Sequence, residues 1–274
     1  MPEIPELEAM AAVLNRKAAG RTVVEAEVRI PYVVRRPSKE EFEASLRGER
    51  FERAERKGKY ELLRFASGRI LAVHLMLTGR LQWAQAGDKL RARTGWVLRL
   101  DDGSEIRYFD YKVDGRAYLL AGPQELAVLP RWDKMGPDAL DPALTFEVFR
   151  QRIRRYPGQI KRTLTNEAFI AGIGNAYGDE VLFEAKVYPF AATKSLSEEQ
   201  LRAVYEAIRK VYAWAVPIVA ERMGNEIDEK IRDFLKVHRK GGQPCPVCGS
   251  PITEVTPNQR ITSWCRKCQG GAFG

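Results

Sequence analysis

The alternation of apolar and polar residues changes period along the chain. Residues 5–18 read as an opening helix, and strands follow. TVVEAEVRI at 22–30 alternates, and YELLRF, RILAVHLML, WVLRLDD and EIRYFDY come after it, separated by glycine-containing turns. This pattern predicts an antiparallel β-sandwich domain. LAGPQELAVLPRWDKMGPDALDP, rich in Pro and Gly, reads as a linker. From residue 144 the period is helical, through LTFEVFRQRIRR, QIKRTLTN, GDEVLFEAKV and SEEQLRAVYEAIRKVYAWAVPIVAERM. Ser197 and Gln200 have the capping-box spacing and mark the start of the last of these helices. Beyond 241 the helical signal fades. The predicted plan is multidomain α+β: a β domain over 1–130, a helical domain over 131–240 and a small module over 241–274.

Composition narrows the function classes. With 45% hydrophobic residues in 274, the chain can bury a real core, and 45 Lys and Arg against 36 Asp and Glu leave a charge of +9. That excess suits a polyanionic partner. The longest apolar run, VYAWAVPIVA at 211–220, contains Pro217 and is shorter than the roughly 20 residues that span a bilayer. A membrane role is therefore not expected. The start, MPEIPELEAM, lacks the basic, then apolar, profile of a secretory signal, so a cytoplasmic address is expected.

Three stretches carry candidate chemistry. In the first, Pro5, Glu6 and Glu8 suit a helix start, with proline in the first turn and carboxylates at the positive end of the dipole. The same residues allow a chemical reading. Removal of Met1 would make Pro2 a free secondary amine with Glu3 beside it as a proton donor. In the second, residues 147–162 hold six Arg or Lys, Lys161 among them, against Glu147. AFIAGIGNAYGDEVLFEA follows, in which Gly172, Gly174 and Asn175 precede a helix, so backbone N–H groups and the Asn amide can converge on one anion. It is no dinucleotide fingerprint, because no parallel βαβ unit surrounds it. The third stretch, CPVCGSPITEVTPNQRITSWCRKC, has the spacing C-x2-C-x16-C-x2-C and contains all four cysteines, Cys245, Cys248, Cys265 and Cys268. Two such pairs match a closed tetrahedral zinc site, one structural ion with no open coordination position. From 235 to 274 six Lys or Arg accompany a single Glu254, and Arg260 falls at the tip of the hairpin between the pairs, placed to reach a phosphate.

Taken together, MPEIPELE, KGKYELL, HLMLTGRL, GIGNAYGDEVLF and the four-cysteine finger with QRIT resemble, in the same order, the formamidopyrimidine-DNA glycosylase/endonuclease VIII family. The likeness runs from the first residue to the last. It implies an N-terminal β-sandwich, a helix–two-turn–helix domain and a C-terminal zinc finger. The implied activity is a bifunctional DNA glycosylase and abasic-site lyase, which excises oxidised bases from damaged duplex DNA as a monomer. The catalytic set carried over is Pro2 as the Schiff-base amine, Glu3 as the proton donor, Glu6 as the residue that orders the site, and Lys59 on the lesion-side backbone. The DNA-binding set is His74, Leu77, Lys112, Lys161, Gly174, Asn175 and Arg260.

The departures from that family matter as well. Its wedge methionine aligns with Leu77, after Met76, and the Arg and Phe that complete the plug map onto Lys112 and Asp114. Asp114 cannot stack on a base. Asn166 and Glu167 replace an Asp–Gln/Asn pair. The stretch 224–237, where the 8-oxoguanine branch has a long lid, is fourteen residues. Its Ile227, Ile231, Phe234 and Leu235 recur at spacings of three and four, which predicts a short packed helix. Such a helix would disfavour 8-oxoguanine relative to oxidised pyrimidines, hydantoins and abasic sites. Two rivals to an enzyme are a catalytically silent damaged-DNA-binding protein of the same fold and an unrelated zinc-ribbon protein on RNA or a transcription complex.

Overall fold

The structure is a computed structural model that describes residues 1–271, with the backbone alone at Asn258. The last three residues of the predicted small module lie outside this range. The described chain forms two compact units. One comprises Met1–Asp133 with Val216–Ile231, the other Lys134–Ala215 with the chain from Arg232 on.

In the first unit, α1 (Ile4–Ala18) buries Leu7, Met10, Ala11, Leu14 and Ala18 on one face. It packs on β3 (Phe51–Lys57), and α2 (Lys39–Leu46) packs on β1 (Val23–Val28). The other strands are β2 (Val34–Arg36), β4 (Tyr60–Phe65), β5 (Ile70–His74), β6 (Gly79–Gln85), β7 (Thr94–Leu100), β8 (Ser104–Asp110) and β9 (Arg116–Leu120). They form two sheets of the sandwich, in the orders β1-β7-β8-β6 and β2-β9-β5-β4-β3. All pairs are antiparallel except the short one between β2 and β9, which is parallel.

The β3 stretch, FERAERK, gave no strand signal because its exposed positions carry charges. Glu55 pairs with Arg64 across the hairpin, so the edge is held by ion pairs. Part of the expected linker is also structured: Leu126, Leu129 and Trp132 cover Tyr60, Leu62, Ile70, Ala72, Tyr118 and Leu120 on the outer face of the five-stranded sheet.

The second unit contains α3 (Phe146–Ile153), α4 (Ile160–Leu164), α5 (Asn175–Glu184) and most of α6 (Glu198–Met223). Ser197 and Gln200 cap α6 reciprocally, at 3.0 and 3.1 Å. The finger has a hairpin of β10 (Thr253–Val255) and β11 (Thr262–Trp264), followed by the single turn α7 (Arg266–Gln269). No helix is long and apolar enough to cross a membrane among the described residues.

The helix predicted over 224–237 is absent. Gly224, at φ +55°, ends α6, and i→i+3 turns follow, Glu226 to Met223, Glu229 to Glu226 and Leu235 to Arg232. The backbone donors that a helix would use go elsewhere. Lys236, Val237 and His238 each give their N–H to the Glu180 carboxylate at 2.9 Å. The apolar spacing thus reports burial of Ile227 and Leu235 without a helical backbone.

One core residue opposes the fold. Glu61 on β4 is fully buried, and neither carboxyl oxygen has a hydrogen-bond partner among the described residues. Burial, then the charge of Glu8, pushes this carboxyl well above the usual range. The folded chain therefore holds a proton that the unfolded chain releases, and stability falls as pH rises from the ordinary glutamate range toward the raised value. An unsatisfied buried polar group costs about 1–3 kcal/mol. Glu61→Leu should raise Tm at pH 8 by at least ~2 °C and raise it less at pH 4. A lower Tm at pH 8, or a gain independent of pH, would contradict this reading.

Candidate active site

Two groups of predicted site residues emerge, one in each unit. In the first, Pro2, Glu3 and Glu6 are buried at the start of α1. The Glu3 N–H donates to the Glu6 carboxylate at 3.0 Å, part of a capping box that fixes the chain leading into the helix. Met1 precedes Pro2, so the proline nitrogen is here an amide.

Lys59 is nearly buried just beyond Gly58, which takes φ +58° in the turn between β3 and β4. Sheet register sets His74 between Tyr60 on one side and Arg116 on the other, and the His74 ring meets Tyr60 edge-on at 5.0 Å. Burial, then the positive charges of Lys59, Arg116 and the chain terminus, lower the His74 pKa to about 4. The imidazole is neutral at pH 7. Its Nδ1 accepts from the Met76 N–H at 3.2 Å, an assignment that puts the ring proton on Nε2. The N-terminus, Lys59, Arg116 and a neutral donor thus act electrostatically on one region of the first unit. Leu77 and Lys112 stand exposed on two loops of the same unit.

In the second unit, Gly172 at φ +98° and the extended Gly174 lead into α5, whose first residue is Asn175. Glu167 takes the Gly172 N–H at 3.2 Å and so shapes this loop. The Asn175 side chain donates to the Ile261 carbonyl at 2.8 Å, next to Arg260 on the finger. Lys161, Arg162, Thr165, Asn175, Arg260 and Thr262 line a cavity of about 400 Å³. Its donors suit an anion.

Lys161 is also engaged from inside the second unit. Its ammonium forms an ion pair with Asp179 at 2.7 Å and donates to the Ile261 carbonyl at 2.7 Å and the Thr262 hydroxyl at 2.9 Å. These contacts fix Lys161 against the finger hairpin at one wall of that cavity, where Arg162 and Arg260 add further positive charge. Asp179 also meets His238 Nδ1 at 2.7 Å and accepts the Ser263 N–H at 3.2 Å. This network escaped the sequence reading. The adjacent acids of GDEVLF at the start of a helix were the available signal.

The four cysteine sulfurs lie within 4.8 Å of one another, with Cys245–Cys268 at 3.8 Å and Cys248–Cys265 at 3.5 Å. None forms a disulfide. Sulfurs of a tetrahedral zinc site, at Zn–S about 2.3 Å, stand about 3.8 Å apart. Burial pushes the Cys268 thiol up to about 12, so ionising the whole set calls for a cation among the sulfurs. The residues fit one structural Zn2+, which would fasten both knuckles and leave no open position.

Comparison with known proteins agrees with this geometry. The model of the formamidopyrimidine-DNA glycosylase N-terminal domain matches residues 1–117, that of the formamidopyrimidine-DNA glycosylase H2TH domain residues 135–225, and that of the zinc finger found in FPG and IleRS residues 242–270. The formamidopyrimidine-DNA glycosylase of Symbiobacterium thermophilum is 36% identical over 276 residues, covering 98% of this chain and 89% of the relative. That of Desulforamulus reducens is 32% identical over 275 residues, covering 98% and 99%. In fold, the chain resembles Lactococcus lactis Fpg in complex with an abasic site containing DNA, with TM-score 0.88, 24% identity and coverage of 98% and 99%.

Metal analysis should find one zinc per chain. Cys268→Ala should abolish zinc binding and melt the finger, while circular dichroism still reports the folded β-sandwich. Undiminished zinc in that variant would contradict the four-cysteine site.

Proposed function

The chain belongs to the formamidopyrimidine-DNA glycosylase/endonuclease VIII family, and from that premise we propose how its own residues excise an oxidised base from duplex DNA and cleave the strand. The carrying observation is that Pro2, Glu3, Glu6 and Lys59 are buried in one unit, where the N-terminus, Lys59 and Arg116 all act on His74.

With Met1 removed, Pro2 is a secondary amine. An α-amine has a pKa near 8, and neighbouring cations lower it further by penalising the charged form. The neutral nitrogen attacks C1′ of the damaged nucleotide. The C1′–base bond breaks, and the base leaves with the bonding electrons and takes up a proton. Glu3 gives its proton to the ring oxygen as the C1′–O bond opens, which leaves a positively charged iminium between Pro2 and C1′. The resulting carboxylate, or water, removes a proton from C2′. The electrons of that C–H bond flow into the iminium and give a neutral enamine, and their return from nitrogen forms a C2′–C3′ double bond as the C3′–O bond breaks and the 3′ phosphate departs. Glu6, through the Glu3 N–H, keeps the chain in position for these transfers. Lys59 provides charge for the lesion-side backbone, and His74 offers an Nε2–H to phosphate without adding another buried charge.

We assign the chemistry to residues 1–130 and the grip on phosphates to Gly174, Asn175 and Arg260 of 131–240 and 241–274. One chain supplies every catalytic group, which supports a monomer acting on DNA in the cytoplasm. The intact N-terminal set favours an enzyme over a silent damage-binding relative. Residues 224–237 form turns in place of a packed helix and so do not disfavour 8-oxoguanine, and the substrate remains the class of oxidised bases.

Borohydride reduction with abasic duplex DNA should trap a covalent adduct that maps to Pro2, and protein that retains Met1 should give none. An adduct at Lys59 would overturn the assignment.

A further inference from the structure

Residue 111 stands out on the first unit. Tyr111 is 58% exposed and Leu77 49%, and the two lie on separate loops, after β8 and after β5. A lone exposed apolar side chain is ordinary, but these loops are built as a pair. Asp110 joins them. Its carboxylate accepts from the Thr78 hydroxyl on the Leu77 loop. On its own loop it accepts from the N–H groups of Lys112 at 3.1 Å, Asp114 at 2.9 Å and Gly115 at 2.8 Å, and from the Tyr108 hydroxyl at 3.0 Å. Burial alone would raise the Asp110 carboxyl, but these donors outweigh it and hold it below the usual range.

Both loops also hold strained backbone. Met76 and Val113 take φ +51° and +55°, and for the β-branched valine that region is unfavourable. The loops leave no slack at two further points. A Cβ on Gly79 or Gly115 would come within 2.8 or 1.7 Å of the Tyr108 hydroxyl. The result is a rigid mount.

The mount also sorts the side chains. Asp114 turns inward, with Oδ1 buried, and burial followed by the charge of Asp110 raises its carboxyl. Tyr111 points outward, its ring supported edge-on by the buried Phe109 at 5.6 Å and followed in sequence by the exposed Lys112. A supported aromatic face beside a cation suits a base above a phosphate backbone. Enzymes that rotate a nucleotide out of a duplex commonly fill the gap with apolar side chains.

We infer that Tyr111 stacks on a base of the duplex next to the gap that Leu77 enters, and so supplies the aromatic contact that Asp114 cannot. The inference rests on the proposed glycosylase activity and adds a residue that governs how the unpaired strand is held. A stacking contact tolerates every base but gains most from the larger purines.

The test is single-turnover excision of dihydrouracil placed opposite each of the four bases, together with cleavage of a single-stranded abasic oligonucleotide. Tyr111→Ala should slow duplex excision ~10-fold or more, with the larger loss opposite adenine and guanine. Tyr111→Phe should stay close to wild type, and single-strand cleavage should not change. Wild-type rates for Tyr111→Ala on all four duplexes, or equal losses on duplex and single strand, would overturn the inference. A wild-type protein inert on every substrate would instead overturn the enzymatic reading on which it rests.

Discussion

The second unit depends on one buried ion pair, Lys161 with Asp179. Both side chains are almost wholly removed from solvent, and removing one partner of such a pair costs about 3–5 kcal/mol, because the other charge is left uncompensated. The pair also spans the chain, since α4 provides the lysine, α5 the aspartate, and both reach the finger. Lys161 holds the carbonyl of Ile261 and the hydroxyl of Thr262, and Asp179 holds the N–H of Ser263. Asn175 takes the same Ile261 carbonyl. Three consecutive finger residues are thereby tied to two helices, and Arg260 is carried to the cavity that Asn175 lines. Zinc would brace the far side of the hairpin, while the ion pair determines where the hairpin stands.

The same device recurs where function requires an irregular backbone. A carboxylate gathers several N–H groups and fixes a segment that no helix or strand could hold. Glu180 does so for 236–238 and Asp110 for the loops after β5 and β8, and the Glu6 carboxylate holds the chain entering α1 through the Glu3 N–H. A carboxylate binding several donors is strong because the bonds are charge-assisted and the group is largely desolvated. Glu61 lies outside this pattern, being buried with no hydrogen-bond partner among the described residues. The contrast shows that burial alone does not determine what an acid contributes.

The architecture was legible wherever a regular period coincided with burial on one face. Strands β1, β4, β5, β7 and β8 and helices α1, α3, α5 and α6 all overlap stretches read from their apolar pattern. The edge strand β3 did not, because cross-strand ion pairs replace apolar contacts there. The stretch 224–237 misled in the opposite sense, since Ile227 and Leu235 are buried by turns whose N–H groups go partly to a side chain. Local chemistry was legible where spacing determines geometry, as with the paired cysteines. The Lys161–Asp179 ion pair was not, because a lysine in a basic run carries no mark of the aspartate it will meet eighteen residues later. Only the fold brings α4, α5 and the finger together.

The most direct test of this account is DNA affinity as a function of salt for Asp179→Asn, with zinc measured on the same sample. The substitution keeps the size of the side chain and removes the charge that holds Lys161. The account predicts that zinc stays at one per chain, while the slope of log affinity against log salt falls by about one or more, because Arg260 and Asn175 no longer converge on one phosphate. Wild-type affinity and slope in a zinc-loaded Asp179→Asn protein would contradict it.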